Sequence, residues 1–436
     1  MKISVVGAGY VGLTVVCLAD FGHEISLVGR TKQKIDLINQ GKSPIYEPGL
    51  EDILKRNLET KRVLATTDYN VMDDSDVIFI CVGTPSNSDG SIDLSQIKDA
   101  SKEIGLHLKR AKDFKVVVVK STVVPRTVKN VVIPILEKES GKKAGLDFGV
   151  AMNPEFLREG EAVYDFMNPD KIVMGITDNK TREIMDKVYE KFDARFHRIF
   201  TDLNTAEMIK YAQNSMLASR VSFINEIANI CEKFGVDVKE VASAIGLDTR
   251  IGPKFLNAGI GFGGSCFPKD VNALLAASSS VGYDSLMLKA ILGINELQPL
   301  RLIQLAKESI GDLSGKAVAI LGLAFKPKTD DMREARAIPI IRTLLEDSVT
   351  IRVYDPQAME NAKQIFGNKI EYCSSVNDCI KNVDLIMIVT EWDEFKNLDL
   401  SLIKCPIIDG RRVLDPEKVK KHKIIYKGIG WKENYG

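Results

Sequence analysis

The sequence predicts an α/β fold: two Rossmann-like domains with doubly wound parallel sheets, joined by a central region of long helices. Three observations predict this fold. Strand-like and helix-like segments alternate up to about residue 200, a long helical pattern begins near Thr201, and the alternation resumes after Gly315. From these changes of pattern we predict three domains, at residues 1–200, 201–312 and 313–436.

The charge balance and the cysteine content argue against several classes of function. Lysine plus arginine and aspartate plus glutamate number 59 each, so no net field attracts nucleic acid or an acidic membrane surface. The seven cysteines form no Cys-x-x-Cys pair and the four histidines lack ligand spacing, which argues against a disulfide framework and a metal site. Met1 leads directly into a strand, and no apolar run reaches membrane-spanning length. We therefore expect a cytoplasmic protein without metal, nucleic-acid or membrane partners.

A glycine-rich turn follows the first predicted strand, Ile3 to Val6. The turn reads Gly7-Ala8-Gly9-Tyr10-Val11-Gly12 and leads into a helix of small and apolar residues. In this context the G-x-G-x-x-G pattern is typical of a turn whose backbone approaches the pyrophosphate of a dinucleotide. A second strand, Glu24 to Val28, follows at the distance that such a unit requires, and a glycine turn without a ligand is the alternative.

Hydroxyl residues follow two of the later strands in this half. Strands are predicted at Val63 to Thr66, Val77 to Val82 and Val116 to Lys120; Thr84 follows the second and Thr122 the third. Ligands of such sheets bind at the carboxyl ends of the strands, so both threonines are candidates for a site. Helix capping or turn formation is the alternative role for each.

Two carboxylates lie four residues apart in the segment from Asn153 to Gly160. If Glu155 and Glu159 are on helical turns, they share a face. That face could serve proton transfer, or it could be an ordinary solvated surface.

A long helical pattern runs from Thr201 to Phe234 and places Lys210 and Asn214 one turn apart. Lys210 is either a surface lysine or a buried cation with a chemical role. A second helical stretch runs from about Asp284 to Ser309 and is predicted to break at Pro299. The apolar faces of these long helices predict a homodimer interface.

The stretch Gly261-Phe262-Gly263-Gly264-Ser265-Cys266-Phe267-Pro268-Lys269-Asp270 surrounds a thiol with small residues and nearby charge. Pro268 is typical of the first turn of a helix. A thiol at a helix N-terminus beside a cation should have a lowered pKa, which makes Cys266 a candidate nucleophile. The alternative is that Cys266 is a buried small hydrophobic residue.

The α/β pattern after Gly315 predicts a second, smaller Rossmann-like domain with a degenerate glycine turn. Its predicted strands include Ala317 to Leu321, Leu385 to Val389 and Pro406 to Asp409. The charged residues Lys326, Arg333 and Arg411 follow predicted strands, where they suit a phosphate-bearing ligand. A solvated charged rim is the alternative.

Taken together, these motifs resemble the UDP-glucose 6-dehydrogenase family, within the wider group of nucleotide-sugar 6-dehydrogenases. The resemblance covers nearly the whole chain. Its motifs are residues 7–12, 43–49, 83–85, 121–122, 153–160, 207–214, 261–270 and 325–333. Some family members carry a cation where this chain has Asn257, so we assign no charged role to that position.

The resemblance implies a set of site residues. Cys266 would be the nucleophile; Lys210, Asn214 and Asp270 would surround the reacting carbon; Thr122 and Glu155 would position water. The residues expected to hold the cofactor are Gly7, Gly9, Tyr10, Val11, Gly12, Arg30, Thr31, Thr84, Thr122, Glu159 and Arg333. Those expected to hold the UDP-sugar are Glu155, Phe156, Leu157, Lys210, Asn214, Arg250, Phe255, Gly263, Lys326 and Arg411.

The implied reaction is the oxidation of UDP-glucose to UDP-glucuronate. It removes four electrons, so a nicotinamide cofactor must be used twice, and a cysteine would hold the carbon as a thiohemiacetal and then a thioester. Two alternatives remain open at this stage: a dehydrogenase for 2-acetamido UDP-sugars, and a non-catalytic protein that binds nucleotide sugars.

The end of the second predicted strand departs from the family pattern. Folds that choose NAD usually end this strand with an acidic residue that binds the ribose hydroxyls. Here the chain reads Leu27-Val28-Gly29-Arg30-Thr31-Lys32, with no acid and with groups that suit a 2′-phosphate. We therefore expect NAD or NADP as cofactor, with acceptance of NADP as the hypothesis. The alternative is that Arg30 stacks on adenine or points to solvent while NAD remains preferred.

Overall fold

A computed structural model describes residues 1–433, and the chain divides into two compact units, Met1–Gln213 and Asn214–Gly436. Each unit contains one β-sheet with flanking helices. The predicted fold class is therefore confirmed. The finer division into three domains stays a prediction.

The sheet of the first unit has eight strands in the order β3-β2-β1-β4-β5-β6-β7-β8. The strands are β1 (Lys2–Val6), β2 (Glu24–Val28), β3 (Val63–Thr66), β4 (Val77–Ile80), β5 (Val116–Val119), β6 (Gly149–Met152), β7 (Lys171–Ile176) and β8 (His197–Thr201). The first six are parallel and follow the Rossmann strand order. β7 is antiparallel to β6, so the sheet is not parallel throughout.

Helices cover this sheet and bury its apolar strands. They are α1 (Tyr10–Val15), α2 (Lys32–Asn39), α3 (Leu50–Glu59), α4 (Ser95–Arg110), α5 (Ile133–Ser140), α6 (Ala162–Met167), α7 (Asn179–Val188) and the start of α8 (Leu203–Phe234). Every residue of β4, β5 and β6 is buried. Burial of all these side chains explains why the central strands are apolar runs rather than alternating patterns.

The sheet of the second unit has six parallel strands in the order β11-β10-β9-β12-β13-β14. The strands are β9 (Ala317–Leu321), β10 (Thr350–Tyr354), β11 (Glu371–Tyr372), β12 (Leu385–Ile388), β13 (Ile407–Asp409) and β14 (Tyr426–Gly428). This order repeats that of β1 to β6, so it supports the prediction of a second Rossmann-like sheet.

The helices of the second unit include the rest of α8 and a second long helix. They are α9 (Val238–Gly246), α10 (Phe267–Ser280), α11 (Leu286–Ile310), α12 (Ala337–Glu346), α13 (Met359–Phe366), α14 (Val376–Cys379), α15 (Asp393–Lys396) and α16 (Pro416–Lys421). The predicted break at Pro299 is wrong, because α11 continues through it. The proline removes one backbone hydrogen bond, while buried Leu302 and Leu305 continue to pack the helix against the core.

Three further observations apply to residues 1–433. No helix there is long and apolar enough to cross a membrane. No group of three or more histidines, cysteines, aspartates and glutamates is arranged to hold a metal ion, and no disulfide bond is formed.

Candidate active site

The glycine turn after β1 is packed so closely that two of its residues must be glycine. Gly7 has φ of 118°, and a Cβ there would lie 2.5 Å from the carbonyl oxygen of Cys81. A Cβ on Gly12 would lie 1.8 Å from the carbonyl oxygen of Gly7. A Cβ on Gly9, by contrast, would meet nothing within 4 Å, so this position opens onto free space. These are the distinct roles expected of the three glycines in a dinucleotide turn.

A cavity of about 200 Å³ lies beside this turn. Its lining residues are Val6, Gly7, Ala8, Gly9, Val28, Gly29, Arg30, Thr31, Lys34, Tyr69, Cys81, Val82, Gly83 and Gln96. The cavity lies at the carboxyl ends of β1, β2 and β4, where the strand order reverses, so it fits a dinucleotide cofactor. The sequence had not singled out Lys34, Tyr69 or Gln96, because nothing in their local pattern marks them.

At the end of β2, where the usual acid is missing, Gly29 is closely packed. A Cβ on Gly29 would lie 2.9 Å from both Ala8 Cβ and Ile35 Cδ1. A larger residue at this position would therefore require the Ile35 side chain and Ala8 to shift. Arg30 and Thr31 follow directly and line the cavity.

The predicted cofactor residue Tyr10 is held by a buried carboxylate. Its hydroxyl donates to Glu47, which also accepts the backbone N–H groups of Gly160 at 2.8 Å and Ala162 at 2.7 Å. Val11 packs against the core of the first unit. Glu47 was not predicted as a site residue, although it lies in one of the motifs that carried the family resemblance.

Thr84 and Thr122 are brought together. The Thr84 hydroxyl donates to the carbonyl oxygen of Thr122 at 2.9 Å, and the Ser121 hydroxyl donates to that of Val82 at 2.6 Å. These bonds join the chain segments that follow β4 and β5. Neither threonine caps a helix here.

Glu155 and Lys210 form a buried ion pair in the first unit. Lys210 Nζ lies 2.8 Å from Glu155 Oε1, and both side chains are almost fully buried. Burial alone would raise the pKa of Glu155, but the Lys210 ammonium holds it below its usual value. The second carboxylate oxygen accepts the backbone N–H of Leu157 at 2.7 Å. Lys210 is therefore a buried cation rather than a surface lysine.

The segment that carries Glu155 is not helical, so Glu155 and Glu159 do not share a helical face. Pro154 disfavours helical backbone before it, Gly160 has φ of 79°, and the next helix begins at Ala162. Phe156 lies under Lys171, whose Nζ is 4.5 Å from the ring centroid.

A second buried lysine, Lys120, was not predicted. Its Nζ donates to Asn153 Oδ1 at 3.0 Å, and the Tyr189 hydroxyl donates to the same oxygen at 2.5 Å. Burial lowers the pKa of Lys120 to about 8. Lys120 thus ties the end of β5 to the first residue of the loop that carries Glu155.

In the second unit, Cys266 occupies the N-cap position of α10, with Pro268 in the first turn as predicted. Asp270 is buried on that turn and accepts from Lys269 Nζ at 2.5 Å and from Asn214 Nδ2 at 2.6 Å. The thiol is partly exposed.

The glycines before Cys266 pack against loops of the second sheet. A Cβ on Gly263 would lie 2.3 Å from the carbonyl oxygen of Glu334, and one on Gly264 would lie 2.7 Å from the Phe325 ring. The Gly264 N–H donates to the carbonyl oxygen of Arg333 at 2.9 Å. The segment that carries Cys266 and the loop from Phe325 to Arg333 therefore pack directly against each other within this unit.

Arg411 also contacts the segment that carries Cys266. Its guanidinium donates to the carbonyl oxygen of Gly261 and to that of Val389, each at 3.0 Å. Phe255 has φ of 62° and contacts Phe267, with ring centroids 6.1 Å apart. Arg411 is thus not part of a solvated charged rim.

Two predicted substrate residues, Arg250 and Lys326, and the predicted cofactor residue Arg333 lie in loops. Arg250 is largely exposed and pairs with Asp248, while the Nζ of Lys326 lies 5.6 Å from the centroid of the Phe325 ring. Arg333 pairs with Asp331 at 2.7 Å. Their binding roles stay predictions.

Comparison with family models decides which family these features belong to. Residues 1–193 match the NAD binding domain of the UDP-glucose/GDP-mannose dehydrogenase family, residues 204–297 match its central domain, and residues 319–416 match its UDP binding domain. The chain belongs to the UDP-glucose/GDP-mannose dehydrogenase family. The resemblance stated from the motifs is therefore confirmed.

This dehydrogenase is similar to several curated relatives over almost its whole length. It is 45% identical to UDP-glucose 6-dehydrogenase AglM of Haloferax volcanii over 421 residues, covering 95% of this chain and 97% of the relative. It is 42% identical to UDP-glucose 6-dehydrogenase YwqF of Bacillus subtilis, covering 99% of this chain and 98% of the relative.

Solved structures share the dehydrogenase fold. A UDP-glucose dehydrogenase from Pyrobaculum islandicum has a TM-score of 0.93 at 38% identity, covering 99% of this chain and 98% of that one. A UDP-D-ManNAc dehydrogenase from Pyrococcus horikoshii has a TM-score of 0.88 at 28% identity, covering 99% of this chain and 100% of that one.

Proposed function

We propose that this dehydrogenase oxidises UDP-glucose to UDP-glucuronate with a nicotinamide cofactor. The observation that carries the proposal is the partly exposed Cys266 thiol at the N-terminus of α10, one turn from the buried Asp270 and Lys269. An alcohol dehydrogenase that stops at the aldehyde does not need such a thiol. Oxidation to the acid does, because a covalent thioester keeps the carbon in place for its second oxidation.

In this scheme Cys266 holds the sugar carbon covalently between the first oxidation and the release of the acid. The bound nicotinamide supplies hydride acceptance, once for the alcohol and once for the thiohemiacetal. Between these steps the Cys266 thiolate bonds to the aldehyde carbon. Loss of the second hydride leaves a thioester, and water then cleaves the carbon–sulfur bond to release the carboxylate and regenerate the thiol.

The buried polar side chains around these steps have roles that suit their environments. Lys210 and Asn214 would stabilise negative charge on the reacting oxygen, since a buried cation and an amide donor act strongly where water is excluded. Asp270 accepts from Asn214 and so fixes the orientation of its amide. Glu155, ionised beside Lys210, would with Thr122 position the water that cleaves the thioester.

The relatives favour glucose over an acetamido sugar. The curated relatives named above are UDP-glucose 6-dehydrogenases at 45% and 42% identity, whereas the UDP-D-ManNAc dehydrogenase is 28% identical. We therefore propose UDP-glucose as the preferred substrate.

The purified protein, incubated with UDP-glucose and excess cofactor, tests the proposal through its stoichiometry. Two reduced cofactors should form for each UDP-glucuronate, and the acetamido UDP-sugars should give much lower kcat/KM. One reduced cofactor per sugar with free aldehyde as product would contradict the thioester route. A preference for an acetamido sugar would contradict the substrate assignment, and binding without turnover would contradict both.

For the cofactor, we propose that NADP is accepted alongside NAD. The end of β2 lacks the usual acid, and Arg30, Thr31 and Lys34 line the cavity next to Gly29. Two cations and a hydroxyl suit a 2′-phosphate, whereas the repulsion that an acid would exert on that group is absent.

The ratio of kcat/KM for NADP and NAD, measured in the wild type and in Arg30→Ala, tests this proposal. We expect Arg30→Ala to lower efficiency with NADP at least several-fold and to change efficiency with NAD little. Lys109→Ala, on an exposed turn of α4, is the control and should leave the ratio unchanged. A strong NAD preference that Arg30→Ala does not alter would contradict it.

We also propose that the protein forms a homodimer through the second unit. Met216, Phe223 and Ile230 recur every seven residues on α8 and are 60%, 51% and 47% exposed. On α11, Leu286, Met287 and Leu297 are also largely exposed. Large apolar side chains in rows on long helices are typical of surfaces that another subunit covers.

A further inference from the structure

Glu207 is a buried carboxylate for which the proposed reaction has no use. It lies on α8 and has no exposed surface. Its Oε2 accepts the backbone N–H of Arg126 at 2.7 Å, and its Oε1 accepts that of Val128 at 2.8 Å. Both carboxylate oxygens are thus committed to one short stretch of backbone.

That stretch has an unusual conformation. Arg126 has φ of 76°, in the left-handed region that residues with a Cβ rarely adopt. The Thr127 hydroxyl donates to the carbonyl oxygen of Val124 at 2.6 Å, and a π-helical turn follows at Val128–Val132. Such a backbone persists only where its surroundings hold it, and Glu207 provides two of the bonds that do so.

The position of this contact in the chain relates it to the proposed chemistry. Arg126 is one residue past the Thr122–Pro125 segment, and Glu207 is three residues before Lys210 on the same helix. Residues three apart on a helix are neighbours on its surface. The two hydrogen bonds therefore join the loop that carries Thr122 to the helix turn that carries Lys210.

The protonation state of Glu207 decides whether both bonds can form. Burial raises its pKa to about 7, while the N–H groups of Val128, Arg126 and Thr127 favour the ionised form and nearby Asp202 opposes it. A carboxylate accepts at both oxygens, whereas a protonated carboxyl presents an O–H to one of two N–H donors. Protonation therefore breaks one bond of the pair.

We propose that Glu207 is a positioning residue whose carboxylate holds the Thr122–Val128 loop against α8, and that protonation of Glu207 loosens the loop. The consequence for catalysis rests on the proposed function. The consequence for the loop does not, because it depends only on hydrogen bonds within the first unit.

Amide hydrogen exchange over residues 121–132 tests the proposal without any assay of activity. In the wild type, exchange corrected for intrinsic rates should be about tenfold faster at about pH 6 than at about pH 8, following the ionised fraction of a group that titrates near 7. Glu207→Gln, which cannot accept at both atoms, should exchange fast at both pH values. Glu183→Gln, on the exposed face of α7, is the matched control and should behave as the wild type.

Glu207→Asp adds a variant that retains the carboxylate. It should recover part of the pH dependence that Glu207→Gln loses, even if it is less stable. With UDP-glucose, Glu207→Gln should lower kcat roughly tenfold with a much smaller change in the KM for UDP-glucose, since it moves Thr122, which is not among the residues proposed to hold the sugar. Equal protection of residues 121–132 at both pH values in the wild type would overturn the proposal. If amide exchange follows the prediction but UDP-glucose is not turned over, only the proposed function is overturned.

Discussion

At the scale of single residues, the Glu155–Lys210 ion pair requires two charges to be buried away from water in the first unit. Both groups are buried, and Glu155 stays ionised because Lys210 is 2.8 Å away. Removal of one partner from a buried ion pair commonly costs about 3–5 kcal/mol, because the other charge is left uncompensated. A pair of apolar residues would avoid that cost, so the presence of the ion pair is consistent with the chemical role proposed for it.

Replacement of Cys266 by alanine separates chemistry from binding. We expect Cys266→Ala to form no UDP-glucuronate while it still binds cofactor and UDP-sugar with affinities close to those of the wild type, because the thiol forms a covalent bond rather than a binding contact. Cys405→Ala is the matched control: Cys405 is also partly exposed, but burial raises its pKa to about 11. Calorimetric titration and product analysis give the two readouts. Normal production of acid by Cys266→Ala would exclude the covalent route.

The raised pKa of Glu207 also predicts a pH dependence of stability. Its pKa rises from 4.5 when unfolded to about 7 when folded, so between these values the folded protein binds more protons than the unfolded chain. The contribution of this group to the free energy of unfolding is therefore present below about pH 4.5 and is lost as the pH rises to about 7.

Denaturant unfolding of the wild type and Glu207→Gln across this range measures that contribution. The difference in unfolding free energy between them should shift with pH in favour of the variant as the pH rises. Glu183→Gln should show no such shift. A pH-independent difference between wild type and Glu207→Gln would mean that Glu207 has an ordinary pKa in the folded state.

At the scale of elements, the sequence predicts the bounds of several strands from short apolar segments rich in β-branched residues. Strands were predicted at Glu24–Val28, Val63–Thr66 and Ala317–Leu321, and all three have those bounds in the structure. The uniform apolar run at Val116–Val119, in which every residue is buried, was placed within one residue. Pro299 was misjudged because local propensity favours a break, while packing of α11 on the core outweighs one lost hydrogen bond.

Contacts between distant segments could not be predicted from local pattern. Glu207 binds Arg126 across 81 residues, and Lys120 binds Asn153 across 33. Glu207 lies in one of the motifs of the family resemblance, but its local pattern does not distinguish it from a solvated helix carboxylate. The family resemblance marked Lys210 and Thr122 as functional, but only the fold brings Glu207 to the loop that follows Thr122.

The glycine turn allows a prediction that distinguishes packing from ligand contact. Gly12→Ala places a Cβ 1.8 Å from the Gly7 carbonyl oxygen and should lower the melting temperature by several degrees. Gly9→Ala meets no protein atom within 4 Å and should leave the melting temperature nearly unchanged. It should nevertheless weaken cofactor binding at least tenfold, because the backbone approaches the pyrophosphate there. Thermal melts with and without cofactor give both quantities, and unchanged cofactor affinity in Gly9→Ala would contradict this placement of the pyrophosphate.

At the scale of the whole molecule, the same strand order occurs twice. In β3-β2-β1-β4-β5-β6 and in β11-β10-β9-β12-β13-β14 the strand order reverses at the third strand, and in folds of this kind ligand crevices form there, at the carboxyl ends of the strands. The chain has no net charge, so anionic ligands depend on local cations in these crevices rather than on a long-range field. Arg30 and Lys34 line the cavity of the first unit, and we propose that they and Arg411, in the second unit, are such cations.

The exposed apolar row on α8 leads to a prediction about assembly. Sedimentation at micromolar concentration should show a dimer or a larger assembly built from dimers, and Phe223→Glu should shift the protein towards the monomer, because an unpaired charge would be buried in the interface. Leu146→Glu, at a 79% exposed position in a loop of the first unit, is the matched control and should assemble as the wild type does. A wild-type monomer, or a Phe223→Glu variant that assembles normally, would mean that this row serves another purpose. Comparison of kcat/KM between the two variants then shows whether turnover depends on assembly, because neither residue is among those proposed to touch substrate or cofactor.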